Sequence, residues 1–236
     1  MTTEPQERVF DWAPHHDPRS RNFPIRGAVR RVSQVKSKAW KVPDPLDQGS
    51  EGACVGYGWT HEALAAPVPV DFSRVKGLNI PVPNTVAQSV YRRAQTLDEW
   101  PGENYEGTSV NAGAKAMREI GVLKEWRWAF GIADVIHGIL TTGPVVLGIP
   151  WFEDMYWAND GIVNVGGPMV GGHCILARAV AERGRVFPDE DAVGWLNSWG
   201  PTYGKNGLAW IKASDLSGLL QQDGEAAVPF RRSYGR

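Results

Sequence analysis

Residues 47–59 read D-Q-G-S-E-G-A-C-V-G-Y-G-W, and how this stretch is read decides the fold. A glycine-rich turn gives way at Cys54 to an apolar run that predicts a helix from Cys54 to Ala66. A thiol in the first turn of a helix sits at the positive end of the dipole, which lowers its pKa and favours the thiolate. Gln48 lies six residues upstream of Cys54. A thiol nucleophile also needs a base, and the base needs an orienting partner.

Working outward, the bulk properties narrow the field. A chain of 236 residues, 42% of them hydrophobic, can bury one large core or two small lobes. A net charge of -1 with no lysine/arginine run argues against nucleic acid as a partner. No run of ~18 apolar residues occurs, so no membrane span is expected. The opening M-T-T-E-P-Q-E-R lacks the pattern of a secretory signal, and two cysteines are too few for a disulfide framework. A cytoplasmic protein with both thiols free is therefore expected. No metal site is expected either: His15, His16 and Asp17 are followed by no further ligand at a suitable spacing.

Residues 1–31 are polar, proline-rich and aperiodic, and are expected to form an extended or partly disordered arm. Residues 32–236 are expected to form a single domain, with a helical lobe over about 47–142 and a β lobe over about 143–230. In the first lobe a helix is expected after Asn84, with Thr85 and Gln88 as a capping box and Val86, Val90, Ala94 and Leu97 on one face. A second is capped by Ser109 and ends at Gly121, and a third starts with Asp134 as N-cap and stops at Gly143-Pro144. After Pro144 the period changes to two. Strands are expected over Pro144–Ile149, Gly161–Val165, His173–Val180, Ala192–Asn197 and Gly207–Lys212, with a late helix from Ser214. Helices first and strands after make an α+β chain of two segregated lobes, whose cleft is the natural place for a site.

His173 begins a strand after a glycine-rich run. Alternation puts His173, Ile175 and Ala177 on one face and Cys174, Leu176 and Arg178 on the other. If His173 faces Cys54, Cys174 points away as a small buried hydrophobe, and no disulfide joins the two cysteines. Asn197, at a strand end in G-W-L-N-S-W-G, can accept from one imidazole nitrogen and leave the other for a thiol, while Trp199 covers the bond.

These blocks resemble the papain-like cysteine peptidases: Q-G-S-E-G-A-C around Gln48 and Cys54, G-G-H-C-I-L around His173, and N-S-W-G-x-x-Y-G-K-N-G from Asn197, in the family's order. The segments E-G-T-S-V-N-A-G-A-K-A-M and W-A-P-H-H-D-P-R-S-R-N-F are similar to a cleft-lining segment and an opening arm of bacterial and viral relatives. The resemblance implies a two-lobe fold, with Cys54 as nucleophile, His173 as general base and acid, Asn197 as its orienter, Gln48 as oxyanion donor and Trp199 as shield. A peptide or protein substrate would hydrogen-bond near Gly107 and around Gly171 and Gly172. Thr108 would line a pocket with an apolar preference, and no cofactor is implied.

The chain departs from the C-G-[SA]-C-[WY] signature, with Glu51 for the first cysteine and Val55 for the aromatic. Gly172 precedes the histidine where many relatives carry a polar residue, and the arm before Asp47 is expected to be too short to serve as the long inhibitory propeptide of secreted relatives. The short arm before Asp47 is expected to cross or border the cleft and restrain access. Two alternatives stay open: an amidase, ligase or transpeptidase with the same acyl chemistry, and a catalytically silent binding module on the same fold.

Overall fold

The computed structural model describes residues 8–29, 34–75, 78, 81–100 and 105–232. Expectations for residues 1–7 lie outside the described residues. In chain order the regular elements are β1 (Lys38–Ala39), α1 (Cys54–Leu64), α2 (Pro83–Gln95), α3 (Val110–Glu119), β2 (Leu123–Trp128), α4 (Ile132–Thr141), β3 (Val145–Phe152), β4 (Met169–Ala181), β5 (Ala192–Leu196), β6 (Leu208–Lys212), α5 (Ala213–Gln221) and β7 (Glu225–Arg232). The strands make one antiparallel sheet in the order β2-β7-β3-β4-β5-β6, with β1 on β4. Among the described residues no helix is long and apolar enough to cross a membrane.

Strand alternation splits the core in two. Val146, Cys174, Leu176, Leu196 and Ala227 join the cluster under α1 and α3, while Val145, Leu147, Ile149, Ile175, Ala177 and Trp195 join the one under α4 and α5. Helix α1 is buried on almost every side. Its glycines explain how: a Cβ on Gly56 would overlap the backbone of α2, and one on Gly58 would press on Cys174 Sγ of β4. Trp59 locks α1 to α3, its indole N–H donating to the Val110 carbonyl at 3.0 Å over the space left by Gly113. The result fixes Cys54, at the N-terminus of α1, against the strand that carries His173.

Several local expectations give way to other physics. Pro83 at the first turn, not a Thr85–Gln88 box, starts α2, since its fixed φ suits that position and its missing N–H costs nothing there. Gly131, not Asp134, caps α4; Asp134 lies inside the first turn, accepts from the Phe130 N–H at 3.0 Å and pairs with Arg26. The stretch Gly161–Val165 forms only one bridge, Ile162 to Trp210, because it follows a 3₁₀ turn with Asp160 in a left-handed conformation. The pairing of β2 with β7 was not foreseen: L-K-E-W-R-W does not alternate cleanly, and its partner lies near the other end of the chain.

One buried group sets an acid limit on stability. His61 is fully buried on α1, where Nε2 accepts from the Leu46 N–H at 3.0 Å, and burial pushes its pKa down to about 3. A depressed histidine contributes stability that is present above its ordinary 6.5 and is lost as pH falls toward the folded value, by about 1.4 kcal/mol per unit. The wild type is thus expected to lose stability relative to His61→Gln, whose side-chain oxygen can keep the Leu46 bond, as pH falls below 6.5. Melting temperatures between pH 7 and 4.5 measure this, and a constant difference between the two proteins would contradict it.

Candidate active site

The three sequence blocks converge at the junction of α1 with β4 and the end of β5. His173 is fully buried and its Nε2 lies 2.7 Å from Asn197 Oδ1, which also accepts from the Ser198 N–H at 2.7 Å. The two acceptor bonds fix the Asn197 amide, and through it the imidazole plane. Trp199 lies over the ring, centroids 4.8 Å apart, and Trp151 approaches it edge-on at the same distance. His173 Nδ1 is buried without a hydrogen-bond partner.

Gln48 is held from three directions. Its N–H donates to the Ser198 carbonyl, its side-chain oxygen accepts from Ser198 Oγ at 2.6 Å, and its Nε2 donates to the Glu51 carbonyl at 2.9 Å. A primary amide carries two N–H groups, so one remains for an incoming oxygen. Ser198 therefore ties Gln48 to Asn197.

Cys54 is also fully buried, and its sulfur is faced by the backbone N–H groups of Cys174, Asp11 and Val55. Here the structure corrects the dipole argument. Burial outweighs the helix terminus and those N–H groups and pushes the thiol up to about 12. Burial likewise brings His173 down to about 4 against the opposing Asn197 bond, with the Arg8 charge lowering it further. In this closed state both groups are neutral. Cys174 is buried and free, but it does not turn away from Cys54 into a separate region: both belong to the cluster under α1, with Cys174 Sγ beside Gly58.

What desolvates the pair is the N-terminal arm, which runs through the cleft. The Trp12 N–H donates to the Gly172 carbonyl at 3.0 Å, the Thr108 N–H donates to the Asp11 carbonyl at 3.0 Å, and the Ala13 N–H donates to the Thr108 carbonyl at 3.2 Å. One extended segment is thus clamped by both lobes. The missing side chains of four glycines admit it: a Cβ on Gly107 or Gly52 would overlap Asp11, one on Gly171 would overlap Phe10, and one on Gly172 would overlap Trp12. Phe10 packs on His173, Trp151, Tyr156 and Trp199, and upstream Arg8 pairs with Asp47 at 2.7 Å and lies over Trp199.

Two carboxyls lie along the arm, Glu225 buried and Asp11 half-buried. Asp11 Oδ2 has no hydrogen-bond partner, and burial together with the Glu106 charge raises Asp11 to about 6. Glu225, first residue of β7, accepts from Trp12 Nε1 at 3.1 Å, and burial raises it to about 8 against that bond. The Thr108 hydroxyl donates to Asp98 Oδ2 at 2.8 Å, and the Thr108 backbone forms a bridge with Trp12 of the arm.

Gly107, Thr108, Gly171 and Gly172, expected to meet a substrate, all meet an extended segment of the protein's own chain. Phe10, Asp11, Trp151, Tyr156 and Glu225 were missed by the sequence reading, which quoted Trp12 only as the first residue of the arm's motif. Glu225 carried a signal, a lone acid at the head of the apolar run E-A-A-V-P-F. Among the described residues no group of three or more His, Cys, Asp or Glu is arranged to hold a metal ion.

Comparison with known proteins gives a likeness of fold. No protein-family model and no curated protein matches the chain. Among solved structures it is similar to xylellain, a cysteine protease from Xylella fastidiosa, with a TM-score of 0.63 and 14% identity over 99% of this chain and 98% of that one. It is also similar to a digestive procathepsin L2 proteinase from Tenebrio molitor larval midgut, with a TM-score of 0.57 and 18% identity over 98% of this chain and 81% of that one.

Proposed function

We propose that this chain, which has the papain-like cysteine peptidase fold, hydrolyses peptide bonds with Cys54 as nucleophile and is held latent by its own N-terminal arm. The observation that carries the reading is the imidazole of His173, bonded through Nε2 to Asn197 while Nδ1 stays buried and unpartnered on the strand packed against Cys54. A histidine with one nitrogen anchored and the other spare is a base waiting for a proton donor.

In the open state water or substrate replaces the arm, the desolvation that keeps both groups neutral is relieved, and the proton passes from Cys54 to His173. The thiolate then attacks the peptide carbonyl, forming a C–S bond. The negative oxygen that develops is met by the free N–H of Gln48 and the backbone N–H of Cys54. His173 gives its proton to the departing amine as the C–N bond breaks. Water, deprotonated by the same imidazole, then cleaves the thioester and regenerates the thiol. Two free thiols suit a reducing compartment such as the cytoplasm.

The test is release of coumarin from peptidyl-coumarins in a reducing buffer, before and after alkylation with iodoacetamide. Thiol-dependent release supports the reading; a protein whose Cys54 alkylates but which cleaves no peptide, with or without its arm in place, overturns it. Within the same assay Gln48→Ala is expected to lower kcat by about 10²–10³, the range for loss of one oxyanion donor. Unchanged kcat would remove Gln48 from the machinery.

A further inference from the structure

Beyond the cleft a second groove lies between α3, β2 and the arm. Asn111, Lys115 and Arg118 recur at helical spacing along one face of α3, and Lys124 and Trp126 of β2 line the opposite side. Between them is a cavity of about 340 Å³, with the exposed ring of Phe23 at its rim.

The charges around this groove do not cancel. Asp17, Glu99, Glu119 and Glu125 already have cations, namely Arg19, Lys115, Arg93 and Arg127 in that order. Arg118 and Lys124 are left over. Among the described residues neither has an ion-pair partner, although the Arg118 charge also acts on Glu119. The Arg118 guanidinium lies over Trp126, 5.3 Å from the ring centroid, which holds it in place while its N–H edge stays free for a carboxylate. Asn111 is 5% exposed, and its amide has no hydrogen-bond partner among the described residues. An amide buried unpaired is costly, and a peptide backbone relieves it by supplying both a donor and an acceptor.

The groove also continues the cleft. Thr108, which holds the arm there, lies one helical turn before Asn111 on the same wall. The arm itself passes from Thr108, at Ala13, to the groove, at Asp17. A substrate that takes the arm's place has the same path open to it. Resting on the peptidase reading above, we propose that this groove is an exosite that selects substrates by an acidic segment about four to six residues from the part held by Thr108, at ~3.3 Å per residue. Arg118 and Lys124 pair two carboxylates of that segment, and Asn111 holds its backbone. Two unpaired cations and one amide suit a short acidic peptide. They are too few to follow a nucleic-acid backbone, and a net charge of -1 supplies no wider basic field.

The experiment uses the full chain carrying Trp12→Ala, in which the arm yields the cleft, with and without the double reversal Arg118→Glu and Lys124→Glu. Internally quenched peptides share one cleavable centre and carry the triplet Asp-Glu-Asp at one end, at the other end, or replaced by Ser-Ser-Ser at both. The expected result is a kcat/KM about fivefold to tenfold higher for the acidic triplet at one end only, the combined effect of two exposed charge pairs, and lost at high salt. The reversal is expected to turn that preference against the acidic peptide and to leave the serine peptide unchanged. No preference, an equal preference at both ends, or a preference that survives the reversal overturns the proposal. If no peptide is cleaved, the peptidase reading fails by itself, and the groove is decided by fluorescence anisotropy of the acidic peptide labelled with fluorescein. Saturable binding that weakens at least about fivefold in the reversal and in Asn111→Ala supports the proposal, and an unchanged affinity in either overturns it. An oligothymidylate of equal charge that binds more tightly than the peptide also overturns it, in favour of nucleic acid. Should the reversal not fold, Arg118→Gln with Lys124→Gln takes its place and is expected to abolish the preference; a preference left intact overturns the proposal.

Discussion

Replacing Cys54 with alanine is expected to abolish peptide hydrolysis, by a factor on the order of 10⁶ in kcat, and to leave the fold in place. The size follows from the roles. His173 and Gln48 can only assist an attack, and without the sulfur there is nothing to assist. The fold survives because the side chain lost is small, a single buried sulfur, a deletion worth about 1 kcal/mol. Labelling supplies a second readout. Cys174 is buried beside Gly58, and burial raises its pKa well above the usual thiol value. Cys54 should therefore take up iodoacetamide each time the arm opens, while Cys174 stays inert. Hydrolysis retained by Cys54→Ala, or faster labelling of Cys174, would remove Cys54 from the mechanism.

That Cys54, His173, Asn197 and Gln48 would be brought together was legible, while the contact of Trp12 with Glu225 was not, and the difference has a physical cause. Each of the first four sits in a short block with telling local chemistry: a glutamine and a thiol around a turn-to-helix junction, a histidine inside a strand that begins at Met169 and not at His173 as expected, and an asparagine at a strand end. Periodicity then located the helices and most strands, because Val110, Ala114 and Met117 or Ile175 and Ala177 bury one face of a regular element. Glu225 gains meaning only from Trp12, which lies almost the whole chain away, and no local pattern encodes that pairing. The same distance hid the β2–β7 ladder. The thiol's ionisation was misjudged for a related reason. The helix dipole belongs to α1 and can be read locally, whereas the desolvation that outweighs it is imposed by Phe10, Asp11 and Trp12 from the arm.

Opening the arm should give the other large effect. Trp12→Ala in the full chain is expected to raise the initial rate of hydrolysis, and of Cys54 alkylation, by about 10². Truncating a buried tryptophan costs about 3–5 kcal/mol in a closed core, and about 3 kcal/mol shifts an equilibrium by some 10². The loss falls almost wholly on the docked state, since the indole is in solvent when the arm is free. It also removes the indole N–H that Glu225 accepts, which weakens docking further. The same two carboxyls give the effect a pH dependence whose sign can be worked out. Asp11 and Glu225 both have raised pKa values in the docked state, about 6 and about 8, so the docked arm holds protons that the free arm releases. Docking is therefore strengthened as pH falls, less the part that His173 takes back below its ordinary 6.5, because burial under the arm holds it at about 4. It weakens as pH rises from ordinary carboxylate values through those two. The wild type should open progressively between pH 5 and 8, and the advantage of Trp12→Ala over it should be largest at the acid end. Alkylation separates this gating from catalysis because it needs an exposed thiol but no substrate. Equal alkylation rates for wild type and Trp12→Ala at pH 5.5 would mean that the arm does not guard Cys54, and latency would have to be sought elsewhere.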